Sequence, residues 1–308
     1  MSNMRDVDGL RVPYGKTKSQ FETEFDPSTG TIWGYFNPKG TPCFSLGLLK
    51  AIREHDSVLA VNDGRVEAAG IASKAHYYVL GSRVPRVFNL GGDLALFVLL
   101  IKSRDRDALA HYAKLCIDNM FPRIQNFYSS TLTTISLVQG DALGGGFECA
   151  LSSDVIVAEE SAQLGLPEIL FNLFPGMGAY SLLARRIGMR AAEDLILSGR
   201  VLPAATLHEM GVIDVIAKDG DGENAVREWI ARNAKRRNGM QAVHKARKLV
   251  QPVTREELDA ITDTWVDAAM RLEDRDLKMM SRIVRAQMRR LESNDVTDIT
   301  QEALAASA

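Results

Sequence analysis

The chain has 308 residues, longer than a typical ~150-residue domain and within reach of one large α/β unit. Hydrophobic residues make up 46% and charged residues 25%, which excludes a disordered tail protein or a low-complexity scaffold. Thirty-seven Lys+Arg against 39 Asp+Glu give a net charge of −2, so no global bias points toward nucleic acid or an anionic membrane.

Residues 1–20 are polar and uneven and read as a loose arm. Their start, MSNMRDVDGLRVPYGK, lacks the apolar stretch of a secretory signal. The longest apolar run, residues 94–101, falls far short of the ~20 residues that span a bilayer. A cytoplasmic protein is therefore expected. From Phe21 the pattern turns strand-like, with Thr31-Ile32-Trp33-Gly34-Tyr35-Phe36 rich in aromatic and β-branched residues. Asn37-Pro38-Lys39-Gly40 marks a turn, and residues 44–54 show helical spacing through Leu46, Leu49 and Ile52. His76-Tyr77-Tyr78-Val79-Leu80 reads as a strand, and residues 84–90 lead into Gly91-Gly92-Asp93. A helix, in one piece or two, is expected from Leu94 to about Ser130.

Thr133 to Val138 is a strand that runs straight into Gly140-Asp141-Ala142-Leu143-Gly144-Gly145-Gly146, with a helix starting near Phe147. Asp154-Val155-Ile156-Val157-Ala158 is the next strand and residues 179–187 the next helix. Strands alternating with helices at this pitch indicate an α/β fold of repeated ββα-like units. Beyond about Asp219 the pattern is almost wholly helical and closes on one long helix over residues 255–291. The expected organisation is an arm (1–20), an α/β core (21–219), a helical C-terminal subdomain (220–291) and a flexible tail (292–308).

Three cysteines (Cys43, Cys116, Cys149) without C-x-x-C spacing argue against a disulfide framework, and five scattered histidines against a protein-built metal site. No metal or cofactor is expected, and the glycine cluster matches neither a P-loop nor G-x-G-x-x-G. The segment from Gly140 to Gly188 carries the chemistry. Three glycines at a strand-to-helix junction leave backbone N–H groups bare at a helix start, a geometry suited to an oxyanion. Glu148 follows in the first helical turn, and Glu168 stands twenty residues on, after Pro167. Two carboxylates flanking a substrate atom are what acid–base chemistry across a C–C bond requires. The bland reading, structural glycines and a glutamate that serves the helix dipole, weighs equally on these residues alone.

Gly144-Gly145-Gly146-Phe147-Glu148 followed by Ala162-Gln163-Leu164-Gly165-Leu166-Pro167-Glu168-Ile169 resembles the crotonase superfamily (enoyl-CoA hydratase/isomerase). Val87-Phe88-Asn89-Leu90-Gly91-Gly92-Asp93-Leu94 is similar to its upstream F-x-x-G-x-D-L loop. Phe174-Pro175-Gly176-Met177-Gly178 resembles its P-G-x-G helix entry, and Ala184-Arg185-Arg186-Ile187-Gly188 the helix after it. The resemblance covers about residues 30–290. It implies a crotonase (ClpP-like) spiral with a helical C-terminal region, oxyanion N–H groups on Gly92 and Gly145, and Glu148 and Glu168 as catalytic carboxylates. It also implies a homotrimer or hexamer.

Within the superfamily, Tyr35-Phe36-Asn37-Pro38, Pro42-Cys43-Phe44-Ser45-Leu46-Gly47-Leu48-Leu49 and Phe88-Asn89-Leu90-Gly91-Gly92-Asp93 look most like RpfF-type synthases of the diffusible signal factor, a cis-2-unsaturated fatty acid. The long helical stretch between the two oxyanion loops agrees with that group. The resemblance implies dehydration of a 3-hydroxyacyl thioester on acyl carrier protein or CoA, hydrolysis to the free acid, and docking on the receiver domain of a cognate sensor kinase. The alternatives are an ordinary enoyl-CoA hydratase of fatty-acid degradation and a crotonase-fold binding partner of a sensor kinase. An acyl tail needs an apolar tunnel, for which Leu143, Met177, Trp265 and Ile283 are candidates; for any one of them plain core is the readier explanation. Arg232, Lys235, Arg236, Arg237, Lys245, Arg247 and Lys248 form a basic stretch, either a solvated face or a dock for acidic acyl carrier protein or CoA phosphates.

Overall fold

A computed structural model describes residues 11–15 and 20–293. The expected tail thus lies almost wholly outside the described residues, as does most of the expected arm. What is described of that arm is paired: β1 (Val12–Pro13) lies antiparallel to β2 (Phe21–Asp26). Arg11 stacks 3.8 Å over the Trp33 ring and bridges Glu24 and Glu223.

Two sheets organise the molecule. In the larger, β1 and β2 continue through β3 (Thr31–Phe36), β6 (Tyr77–Ser82), β8 (Thr133–Val138), β10 (Val155–Glu159) and β13 (Val215–Ala217), parallel from β3 onward. These strands read as near-continuous hydrophobic runs because both faces are covered. One face carries Trp33, Tyr77, Ile135, Leu137 and Val157 against Val226 and Ile230 of α8 (Gly222–Asn233). The other packs into the main core beneath α1 (Leu46–Val61) and α3 (Arg106–Ile124). A helix from the expected C-terminal subdomain therefore completes the core sheet.

The smaller sheet has the order β12 (Val201–Pro203), β11 (Gln163–Gly165), β9 (Asp141–Leu143), β7 (Val87–Asn89), with β7, β9 and β11 parallel. A third, two-stranded piece pairs β4 (Arg65–Ala68) with β5 (Ile71–Lys74). Strands β4, β5, β9, β11, β12 and β13 have only three or four residues each, too short for a period-2 signal to stand out in the sequence.

The expected helix over residues 94–130 is two, α2 (Leu94–Lys102) and α3, separated at Arg104 in the left-handed region (φ 59°). Asp105 restarts the helix by accepting the Ala108 N–H at 3.0 Å. The long helix expected over residues 255–291 also divides, into α10 (Arg255–Ala269) and α11 (Asp274–Ser293). The acidic run Glu273-Asp274-Arg275-Asp276 supplies the new start, because the Asp276 carboxylate reaches back to the Glu273 N–H at 3.0 Å. The turn matters for the site: α10 packs along α3, while α11 returns across α2 and the short helix of Pro167–Phe171.

The remaining helices are α4 (Gly145–Leu151), α5 (Ala179–Ile187), α6 (Met189–Ser198), α7 (Ala204–Glu209) and α9 (Arg237–Val250). Part of the basic stretch on α9 turns inward. Lys248 Nζ lies 2.8 Å from the fully buried Asp154 and bonds Asn126, with Arg247 3.5 Å from the same carboxylate. Asn126 begins three successive left-handed residues (φ 51–59°) that end α3. That strained turn is held by Asp154 and Lys248 as one unit. No helix among the described residues is long and apolar enough to cross a membrane.

Candidate active site

The small sheet assembles the site. Its three parallel strands end side by side, and each hands over one loop at its C-terminal end. β7 delivers Leu90-Gly91-Gly92-Asp93, β9 delivers Gly144-Gly145, and β11 delivers Pro167-Glu168. The Gly144 N–H closes the β9–β11 contact onto Gly165 O at 2.9 Å. Pairing Leu164 with Ala142 and Gly165 with Leu143 brings Glu168 beside the turn that carries Glu148.

Gly91 is at φ 92°, and a Cβ there would stand 2.6 Å from Leu143 O and 2.9 Å from Gly145 N. The two glycine loops therefore touch through backbone, which only a residue without a side chain permits. Asn89 Oδ1 accepts the Gly91 N–H at 2.8 Å, and the Tyr112 hydroxyl receives the Asp93 N–H at 3.2 Å while donating to Phe44 O at 2.6 Å. These bonds orient the segment around Gly92. Gly92 N lies 3.5 Å from the place a Cβ on Gly145 would occupy. Gly145 opens α4, so its own N–H has no intrahelical acceptor. With seven residues, α4 contributes little dipole beyond that local donor. The sequence motif includes Asn89 without pointing to its role, and it does not include Tyr112. Asn89 stands immediately before Leu90 and the glycine pair, a usable signal, whereas nothing in the sequence links Tyr112 to this loop.

Glu148 is buried (1% exposed), and its Oε1 accepts the Met177 N–H at 2.7 Å and the Ala179 N–H at 3.0 Å. The P-G-M-G turn thus serves to hold this carboxylate. Burial pushes the Glu148 carboxyl up to about 7, against the pull of those two donors. Glu168 is half-buried, with Oε2 shielded and without a hydrogen-bond partner among the described residues. Its Oε1 stands close to where a Cβ on Gly144 would lie, so the bare backbone at Gly144 makes room for it. Burial, and after it the Glu148 charge, push Glu168 up to about 8. Between about pH 7 and about 8 the coupled pair therefore shares one proton.

Both raised values carry a sign for stability. Each carboxyl binds its proton more tightly folded than unfolded, so its contribution is complete below about pH 4.5 and is lost as pH rises through about 7 to 8. Glu168→Gln cannot ionise and is expected to melt on the order of a few degrees above the wild type near pH 9, the gap closing toward pH 5. Thermal melts across that range check it. A gap that widens toward acid would contradict the burial of Glu168.

A cavity lies over these groups, lined by Gly92, Phe97, Gly145, Glu148, Glu168, Met177 and Trp265. Trp265 is positioned from α10 by an edge-on contact with Phe97 (centroids 5.2 Å, 67°) and by Gly176, where a Cβ would collide with the indole. A second, largely apolar cavity shares Gly145 and Met177 with the first. It runs inward between Phe21, Phe36, Phe44, Leu49, Ile52, Leu80 and Met120. Of the four residues expected along a tunnel, Met177 thus lines both cavities and Trp265 the first. Leu143 packs with Val87, Leu90 and Ala286, and Ile283 lies in the main core; neither lines a cavity described here. Leu143 precedes the glycine turn on a strand buried between its neighbours, and Ile283 faces inward from α11 after the break that the unbroken-helix expectation lacked. The inner lining comes instead from residues 21–52 and from α3, whose apolar positions read as ordinary core.

Residues 72–264 match the family model described as enoyl-CoA hydratase/isomerase. The chain belongs to the enoyl-CoA hydratase/isomerase family. Human mitochondrial methylglutaconyl-CoA hydratase is 32% identical over 164 residues, 53% of this chain and 46% of that protein. The peroxisomal fatty acid beta-oxidation multifunctional protein AIM1 of Arabidopsis thaliana is 30% identical over 163 residues, 53% of this chain and 22% of that one. The chain thus spans less than half the length of these curated relatives. Among solved structures, enoyl-CoA hydratase from Bacillus halodurans superposes with a TM-score of 0.69 at 19% identity, over 85% of this chain and 98% of that one. Pseudomonas aeruginosa DspI superposes with a TM-score of 0.63 at 22% identity, over 92% and 98%. These likenesses show the crotonase fold, as the sequence motifs imply, and extend it well beyond the segment of the family match.

Proposed function

We propose that this chain adds water to, or removes it from, the Cα–Cβ bond of an acyl thioester. The observation that carries the reading is the pair Glu148 and Glu168, raised to about 7 and about 8 and facing one cavity with the Gly92 and Gly145 backbone. The two N–H groups polarise the thioester carbonyl and stabilise the enolate left when the α-proton departs. Dehydration takes that proton onto the ionised carboxyl group and delivers one from the protonated group to the departing 3-hydroxyl. Hydration reverses both transfers, and a pair sharing one proton supplies both partners in either direction. The apolar inner cavity, opening past Met177, is where an aliphatic tail would lie.

Within that reaction class we take the chain to be a synthase of a diffusible cis-2-unsaturated fatty acid signal. It would dehydrate a 3-hydroxyacyl group on acyl carrier protein, after which water attacks the thioester carbonyl, releasing free acid and carrier thiol. The Asn89-Leu90-Gly91-Gly92-Asp93 loop supports this reading, since Asn89 has a defined task there. The exposed Arg232, Lys235 and Lys245 would meet the acidic carrier, Lys248 being committed to Asp154. The exposed apolar Val243, Leu249 and Val250 on α9 suit assembly into a trimer or hexamer, or contact with a sensor's receiver domain.

Purified protein given 3-hydroxyacyl groups on carrier protein and on CoA, followed by mass spectrometry, tests both levels. Free cis-2 acid formed preferentially from the carrier substrate, and lost in Glu148→Ala, is the expected result. Reversible hydration of trans-2-enoyl-CoA alone would reduce the chain to an ordinary hydratase. No turnover of any of these thioesters would remove the enzymatic reading and favour a binding partner.

A further inference from the structure

The inner cavity is apolar along its length but not throughout. Asn119 and Arg123 both line it, and they stand four residues apart on α3, hence on one face of the helix. Both are at least nine-tenths buried, at 9% and 3% exposure. Arg123 is anchored by Nε and Nη2 on Ser153 Oγ and by Nη2 on Ile135 O, while Nη1 is buried with no hydrogen-bond partner among the described residues. Asn119 donates to Leu115 O at 2.8 Å, while its Oδ1 is likewise buried without a partner. A buried donor and a buried acceptor without partners, on neighbouring cavity-lining residues of one helix face, each carry a desolvation cost that a hydrogen-bonding occupant would relieve.

We infer that the acyl cavity carries a polar subsite, Asn119 and Arg123, that recognises a hydroxyl group on the substrate's hydrocarbon tail. The inference rests on the acyl-thioester reading above and narrows its substrate class. A hydroxyl matches both orphans, donating to Asn119 Oδ1 and accepting from Arg123 Nη1. A carboxylate satisfies Arg123 only and leaves Asn119 Oδ1 facing another acceptor. The same cavity is also lined by Asp56, whose Oδ1 accepts from the Tyr78 hydroxyl at 2.9 Å and lies 2.9 Å from His55 Nδ1, so a tail carboxylate would bring a further acceptor beside an existing one. A methyl-ended tail satisfies neither orphan. Water is the competing occupant: the cavity has about 40 Å³ for the centre of a water molecule, above the ~10–15 Å³ that one water needs.

Calorimetry with a ladder of medium-chain fatty acids decides the matter. Each chain length is offered unsubstituted, ω-hydroxylated and ω-carboxylated, both as the free acid and as the saturated CoA thioester. At the fitting length the ω-hydroxy form should bind about tenfold or more tighter than its unsubstituted partner in the wild type. Asn119→Leu, which forfeits only one side-chain bond to Leu115, should bring that ratio to about one. Equal affinities along the whole wild-type ladder would mean that water alone occupies the subsite, and tightest binding of the ω-carboxy form would overturn the hydroxyl assignment. The wild-type ladder stands even if the variant fails to fold. Free acids need no carrier site, so absent thioester binding or turnover would count against the proposed reaction while the tail preference is still read.

Discussion

Glu148→Gln and Glu168→Gln are each expected to lower kcat/KM by about 10²–10⁴-fold, the range that one positioned acid or base supplies. The fold should survive both changes. In Glu148→Gln the new amide still offers an oxygen to the Met177 and Ala179 N–H groups, and Glu168→Gln removes a carboxyl that has an unpartnered oxygen. The wild-type pH profile should be a narrow bell with its maximum between about 7 and about 8, set by one ionised and one protonated group. Each variant should lose the bell, because a single titrating carboxyl remains. Near-wild-type turnover in either correctly folded variant would show that the carboxylate takes no part in the chemistry.

The second large effect concerns the Gly145 N–H. Gly145→Pro deletes the donor at the first position of α4, where proline is compatible with a helix and no intrahelical bond is lost. A fall of about 10²–10³ in kcat is expected, the usual consequence of losing one oxyanion donor. Gly145→Ala is the control: its Cβ meets only the Met177 terminal methyl closely, and that flexible end can move aside. The alanine variant keeps the N–H and should keep most of its kcat, with any loss appearing in KM as Met177 shifts between the two cavities. If Pro and Ala variants of equal melting temperature turn over alike, the N–H has no part in the reaction.

Long regular elements are legible in the residues alone. The helix expected over residues 179–187 is α5, and the strands expected near residues 133–138 and 154–158 are β8 and β10. Hydrophobic runs of that length, bounded by turn residues, leave little choice of conformation. Helix ends are harder to read. Arg104 and the acidic run at Glu273 interrupt patterns that are apolar on both sides, and only capping bonds from Asp105 and Asp276 show where one helix stops and the next begins. The basic stretch misleads in part, because charge alone does not reveal that Asp154 is buried beneath Lys248.

By itself the sequence determined that this is an α/β protein with a glycine-rich strand-to-helix turn, two glutamates twenty residues apart, and motifs of one family in that family's order. It did so because covalent neighbours and short-period patterning are local properties, readable without contacts. Which residues line the cavities was a tertiary decision. Three strands of three residues each, too weak to announce themselves, pair side by side and place Gly92, Gly145 and Glu168 in one cavity from loops far apart in the chain. The raised carboxyl values likewise follow from burial and from one charge beside another, neither of which exists until the chain has closed. The same closure lined the inner cavity with residues 21–52 and α3 rather than with Leu143 and Ile283, and set Asn119 and Arg123 among its apolar walls.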